Sequence, residues 1–553
     1  WRGDCPARRG GDFRSHRKPA GAAPGNRGQP VKARNRPSNH PFFSVVDFIA
    51  APIRFNSLAF CSIGFIFTAM NMRFFSFCII RFRVLLLAFG CLVLGSGAAQ
   101  AQEFKKTDAE AIREIYDRAL VKGAAYENLR RLCKEAPARL SGSANAEKAV
   151  HLTAQMLREA GADTVWLQPV MVPAWERGET EAILKIPGNQ RPLEAVALGG
   201  SVGTNGQWLE AEVIELPGIE ALKLIPADKV AGKIVFLNEP MEPRNVNTFA
   251  SYGACGGNRV FGADEAGKKG AVAVLVRSLT LSHDNHPHTG VMIYRSELKI
   301  PGLAISTVES ARLSELLAAS GSVRVGLRLG CRDLGMKPSY NVIGELRGRQ
   351  FPNEIVVAGG HLDSWDTGEG AHDDGAGCIH SIEALRILAQ MPVRPKRSFR
   401  CVLFMNEENG GMGAEAYAEY ADKEQAKGIR HVAAIESDRG GFTPRGFSYD
   451  AQGMGGTAAK QFLDRFSEAL TPYQLQLITT EGSGADVGKL QSTGAALFGF
   501  LPDSQRYFDV HHAETDRFEN VHKRELELGA AAVTSLSYLL CQYGINGSVP
   551  AKK

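Results

Sequence analysis

Apolar positions along the chain change their period twice, and the changes divide it into zones. In "TDAEAIREIYDRALVKGAAYENLRRLCKEA" and "RLSGSANAEKAVHLTAQMLREAG", residues 107–161, they recur at helical spacing, with Ser143 or Asn145 as N-cap and Gly161 as stop. From about Val170 to Leu329 the pattern shortens to β-type runs, "EAILKIP", "AEVIEL", "GKIVFL", "AVAVLV" and "PGLAIS", separated by turns rich in Gly and Pro. Beyond Tyr340 strands and helices alternate. "YNVIGELRG", "EIVVAGG", "FRCVLFMNEE", "HVAAIESD" and "AALFGFLPD" read as strands, with helices over Ala376–Met391 and Met412–Tyr420. The pattern predicts an α/β unit split after its first helices by an inserted, mainly β domain.

At 553 residues the chain exceeds one ordinary domain. Its net charge of +5 does not imply a nucleic-acid partner, because the excess sits in the Arg-, Gly- and Pro-rich front. An export signal follows. Arg73, Arg81 and Arg83 precede the apolar run Val84–Leu94, and Ala99-Gln100-Ala101 supplies small residues for cleavage before Gln102. That apolar run is too short to span a membrane comfortably, so no membrane partner is expected of the mature protein. The expected division is a basic leader over 1–69, disordered or foreign to the native protein, and a signal peptide over 70–101. A catalytic domain over 102–168 and 331–546 is then interrupted by an insert over 169–330, and 547–553 is a tail. Cys133, Cys255, Cys331, Cys378, Cys401 and Cys541 follow the signal without CxxC spacing, which excludes a thiolate zinc knuckle or a thioredoxin-type motif. One or two disulfides are compatible with an oxidising compartment, with no pairing legible.

The chemistry gathers at strand ends. "GGHLDSWDTGEGAHDDGAG", Gly359–Gly377, packs two histidines and five acids directly after the apolar run Ile355-Val356-Val357. It supplies His361, Asp363 and Asp373. The next strands end on Glu407 and Glu408, on Asp438, and on a loop holding His511 and His512. Ligands of open α/β sheets bind where strands finish at their carboxyl ends. Adjacent carboxylates repel unless something offsets them. A convergence of His, Asp and Glu without Cys fits a borderline-hard divalent cation, zinc first.

Taken with "RLSGS", "YNVIGELRG", "NEENGGMGA", "ESDRGG" and "HHAETD", this stretch makes residues 105–545 resemble the co-catalytic di-zinc peptidases, which include bacterial zinc aminopeptidases and glutamate carboxypeptidases. The resemblance implies a mixed-sheet zinc exopeptidase sandwich, with helices on both faces and an inserted β-rich protease-associated domain. By position, His361 and Asp438 would hold one of two zinc ions, Glu408 and His512 the other, and Asp373 would bridge them. Glu407 would be the general base. Asp363 would orient the His361 imidazole, and Asp516 would partner His512. A cis peptide is implied at Asp373-Asp374. His511 would donate a hydrogen bond to the developing oxyanion, while His372 and His380 match no ligand position.

The substrate would be a short peptide with free termini, met by Ser483, Gly484 and Asp486 in the loop 479–494. Backbone N–H groups there suit a carboxylate and Asp486 an ammonium. His283, His286 and His288 are expected in a solvated loop rather than a third metal site. The resemblance also implies a homodimer, for which the sequence carries no long apolar surface helix or heptad. Two other classes share the architecture, single-zinc glutaminyl cyclases and receptor-like proteins without a competent site. The intact ligand positions and Glu407 speak against the receptor class, and metal stoichiometry separates the cyclases.

Overall fold

In the computed structural model, residues 106–450, 457–478 and 482–545 are described. The leader, the signal segment and the tail lie outside these residues. Three helices open the described chain, Lys106–Lys122, Ala125–Glu135 and Ala144–Glu159, and the last begins where the Ser143 side chain accepts the Ala146 N–H.

The first sheet has eight strands. In spatial order they are Thr164–Glu176, Arg332–Leu346, Arg397–Phe404, Phe351–His361, Arg430–Glu436, Ala496–Pro502, Pro444–Tyr449 and Gln476–Ile478. The central strands from Arg397 to Pro502 run parallel, flanked by antiparallel pairs, and the last pair, Pro444–Tyr449 with Gln476–Ile478, is again parallel. These parallel strands are near-continuous apolar runs because both faces are covered. Val356, Ala358, Phe399 and Ile435 face the helices Ala376–Gln390 and Lys523–Tyr543. Ile355, Val357, Val402 and Ala434 face the helix Met412–Gln425. The fold is mixed α/β.

A second eight-stranded sheet is built from strands between Thr180 and Leu329. Its interior holds Phe236, Leu275, Leu303 and Val325. The junction falls later than the sequence pattern places it. Thr164–Glu176 runs through residue 169 and pairs antiparallel with Arg332–Leu346, so it belongs to the first sheet. Pro169 and Pro173 disguise it, but they are tolerated because this strand lies at the sheet edge.

Among the described residues six cysteines are free and all are buried. Here they are core residues. No described helix is long and apolar enough to cross a membrane.

Candidate active site

The carboxyl ends of the four parallel strands bring the histidines and acids together. His361 ends its own strand, Glu407 and Glu408 follow Arg397–Phe404, and Asp438 follows Arg430–Glu436. His511 and His512 follow Ala496–Pro502 by way of the short helix Tyr507–Val510. Asp373 lies in the irregular turn Ala371–Gly375, and the Asp373-Asp374 peptide is cis.

Asp373 is the centre of the cluster. Its Oδ1 lies 3.2 Å from His361 Nε2 and its Oδ2 lies 3.3 Å from His512 Nε2. Asp438 Oδ1 approaches the same His361 nitrogen at 3.5 Å, and Glu408 Oε2 approaches the same His512 nitrogen at 3.1 Å. One carboxylate therefore joins two histidine–acid pairs. His511 Nε2 is 3.5 Å from Asp373 Oδ2, and its ring stacks on His512 with centroids 3.6 Å apart. Of the acids in the cluster His512 meets both Asp373 and Glu408 while His511 meets Asp373, and this separates the neighbouring histidines.

Burial concentrates the charge. It pushes the Glu407 carboxyl up to about 8 and Glu408 to about 7, with neighbouring carboxylates adding to both. Burial opposes the protonated forms of His361 and His512. The acids around them prevail, Asp438 first for His361 and Glu408 first for His512, and raise both imidazoles. Asp373 Oδ2, Glu408 Oε1 and Asp438 Oδ1 are buried yet accept no hydrogen bond. Buried carboxylate oxygens without a donor are costly unless a cation meets them. Ligand-type atoms of His361, Asp373 and Glu408 lie within 4.8 Å of one another, as do those of Asp373, His511 and His512.

The supporting contacts differ from the expectations at three places, two implied by the resemblance and one read from composition. His361 Nδ1 is oriented by the backbone carbonyl of Asp363 at 2.9 Å, not by its carboxylate. That carboxylate accepts the backbone N–H groups of Asn406, Glu407 and Glu408 instead, so it fixes the loop that carries the two glutamates. Asp516 does not hold His512. Its oxygens accept the N–H groups of His372 at 2.8 Å and Asp373 at 3.1 Å, orienting the bridging residue. The 282–290 loop is not simply solvated. His286 pairs with Glu514, and His288 is buried with its Nδ1 2.6 Å from the His511 carbonyl. Thr289 N–H donates to the His512 carbonyl at 2.9 Å. The loop satisfies its polar groups on the histidine segment, which a composition argument does not see.

Of the 479–494 loop, the described residues begin at Gly482. Asp486 is buried among Glu436, Glu407 and Asp438, with Oδ2 lacking a partner. Gly484 lies against Glu436, where a Cβ would meet the carboxyl carbon at 2.0 Å. Ser483 is buried, and its carbonyl packs beside Gly499. His372 stacks on Phe442, and His380 meets Ser437 Oγ at 2.9 Å.

Sequence reasoning missed several contributors. Glu436 anchors the loop by accepting the Ala485 and Val487 N–H groups. Asp374, which accepts the His361 and Gly377 N–H groups, groups with His361 and Asp438. Its signal was the doubled Asp before Gly375. Arg139, in "RLSGS", donates to the carbonyls of Leu362, Glu369 and Gly370. Arg259 and Tyr252 reach the histidines from the second sheet's helix Thr248–Lys268.

Residues 341–536 match the model of peptidase family M28, and the chain belongs to that family, which makes it a metallopeptidase. It is similar to carboxypeptidase Q of Bos taurus, with 32% identity over 464 residues, 82% of this chain and 94% of the relative. The Homo sapiens carboxypeptidase Q is 32% identical over 434 residues, covering 78% and 88%. Among solved structures, a peptidase M28 precursor from Shewanella amazonensis aligns with TM-score 0.76 and 30% identity, covering 81% of this chain and 99% of that one. A zinc aminopeptidase from Bacillus subtilis shares the fold at TM-score 0.56 and 22% identity, covering 76% and 95%.

Proposed function

We propose that the chain is an exported exopeptidase that uses two zinc ions to hydrolyse dipeptides or short peptides with free termini. The observation that carries this reading is the division of the two Asp373 oxygens between His361 and His512, each histidine with its own second acid. His361 and Asp438 would hold one ion, Glu408 and His512 the other, and Asp373 both. The donor set suits the proposal, since nitrogen and oxygen ligands without sulfur fit zinc and the orphaned oxygens require positive charge. Zinc is also the metal named for the Bacillus subtilis neighbour.

When bound, such a pair of cations polarises the scissile carbonyl and lowers the pKa of attacking water. Glu407 would take the proton of that water and deliver it to the leaving amine. Asp363 holds its backbone in place. Burial, then the neighbouring His512, keeps the His511 ring well below its ordinary pKa, so it is neutral and offers an N–H to a developing oxyanion. Asp486 would meet the substrate ammonium, with Ser483 and Gly484 shaping the same wall. The second sheet, read as a protease-associated domain, narrows the cleft.

A chelator should abolish dipeptide hydrolysis by the full chain, and zinc should restore it with about two ions per chain. A zinc-replete protein that cleaves no dipeptide, or that saturates at one ion, contradicts the proposal.

A further inference from the structure

We propose that Arg259 binds the terminal carboxylate of the peptide, so that the second sheet supplies a specificity-determining residue to the site. The inference rests on the peptidase reading above.

Five arginines among the described residues are buried, and four are satisfied. Arg177 pairs with Asp366, Arg397 with Glu354, and Arg400 with Glu345 and Glu424. Arg139 has its three backbone carbonyls. Arg259 differs. It is 7% exposed, pairs with no carboxylate among the described residues, and its Nε has no hydrogen-bond partner. Among the described residues its hydrogen-bond contact is to His512 Nδ1, 3.3 Å from Nη1. That nitrogen also faces the Thr289 carbonyl at 3.2 Å, which can only accept. With Nε unpartnered and no carboxylate of the described residues against it, the guanidinium meets no anion. A buried, unpaired guanidinium is expensive to keep, and an anion removes the cost.

The position is built. Tyr252, Cys255 and Arg259 share one stripe of the helix Thr248–Lys268. Tyr252 and Cys255 belong to an apolar cluster with Tyr507 and Phe508, the residues leading into His511. Tyr252 meets the His511 ring edge-on at 5.0 Å and lies 5.3 Å from the Arg259 guanidinium carbon. Beside the guanidinium, a Cβ on Gly290 would fall 2.5 Å from Cζ, so only a bare backbone fits there. The charge of the site is also divided. Arg259 stands on the His511–His512 side, while the orphaned Asp486 sits with Glu436 and Glu407. A planar carboxylate matches the guanidinium fork, and the residue following a scissile bond in a dipeptide carries one.

The test compares alanyl-leucine with alanyl-leucine amide on the zinc-loaded full chain. The acid should be preferred in kcat/KM by about tenfold to a hundredfold, the worth of one charge-assisted pair. Arg259→Gln should bring that ratio close to one, chiefly through KM for the acid, and Arg259→Lys should restore part of it. A purely packing role would lower both substrates together and leave the ratio alone. Independently of turnover, calorimetric titration of the metal-free protein should show leucine binding more tightly than leucine amide, with the difference gone in Arg259→Gln. An amide cleaved as well as the acid, a ratio unchanged in Arg259→Gln, or leucine bound no more tightly than its amide overturns the assignment. If wild-type protein cleaves neither compound, the peptidase reading fails instead, and the calorimetric arm still judges Arg259.

Discussion

Arg139→Met tests how the fold holds the site without touching a ligand. Arg139 is wholly buried, and its guanidinium donates to Leu362 O at 2.6 Å, Glu369 O at 2.6 Å and Gly370 O at 2.8 Å. Those acceptors lie on the segment that joins His361 to Asp373, so one side chain sets the path between the two halves of the cluster. Methionine keeps much of the volume and removes every donor. A buried acceptor left unsatisfied costs about 1–3 kcal/mol. Three such losses, offset in part by no longer burying a charge, predict a destabilisation of roughly 3–6 kcal/mol. Urea unfolding of wild type and variant measures this, and zinc content per chain should fall as the bridging turn loosens. A shift under about 1 kcal/mol with full zinc content would mean that the carbonyls find other donors, and the positioning argument would be wrong.

Glu407→Gln should retain both zinc ions and lose about 10²–10⁴-fold in turnover, the usual worth of a positioned base; substantial activity in the metal-loaded variant would remove Glu407 from that role. Asp373→Asn should weaken both ions together, since each oxygen serves one histidine–acid pair, and a variant titrating with one ion at wild-type affinity would refute the bridge. Burial pushes His380 down to about 3, so the unfolded chain protonates first and stability from this group is complete above about pH 6.5. It is lost as pH falls towards 3, by roughly 2 kcal/mol at pH 5. Unfolding midpoints at pH 7 and 5 should show a smaller difference in His380→Leu than in wild type, and equal differences would count against it.

The legible part of the molecule was the part whose chemistry lies along the chain. Apolar runs ending in His361, Glu407-Glu408 and Asp438 mark parallel strands and their carboxyl ends at once, because the same segment carries burial and ligands. Contacts set by tertiary approach were not legible. Thr248–Lys268 contains Gly253, Gly256, Gly257, Gly262 and Gly267, each lowering helix propensity, so intrinsic preference argues against the helix that delivers Arg259 despite its Asn247 cap. Whether Asp363 turns its carboxylate or its carbonyl to His361 depends on torsions that residue type does not specify. Likewise, the polar composition of 282–290 gives no sign that His288 is buried against the His511 carbonyl.

The pinning of His511 and His512 by His288 and Thr289 has a consequence for how the molecule matures. Those bonds close across 223 residues of chain, as does the approach of His512 Nδ1 to the Thr289 carbonyl. Contacts between such distant segments form late, after the intervening loop entropy has been overcome. The central parallel strands, which pair at much shorter separation, can therefore assemble while the histidine pair is still unsupported, and the geometry of the cluster is complete only when the two sheets meet. A polypeptide interrupted between them would retain its acids and lose the geometry that makes them useful.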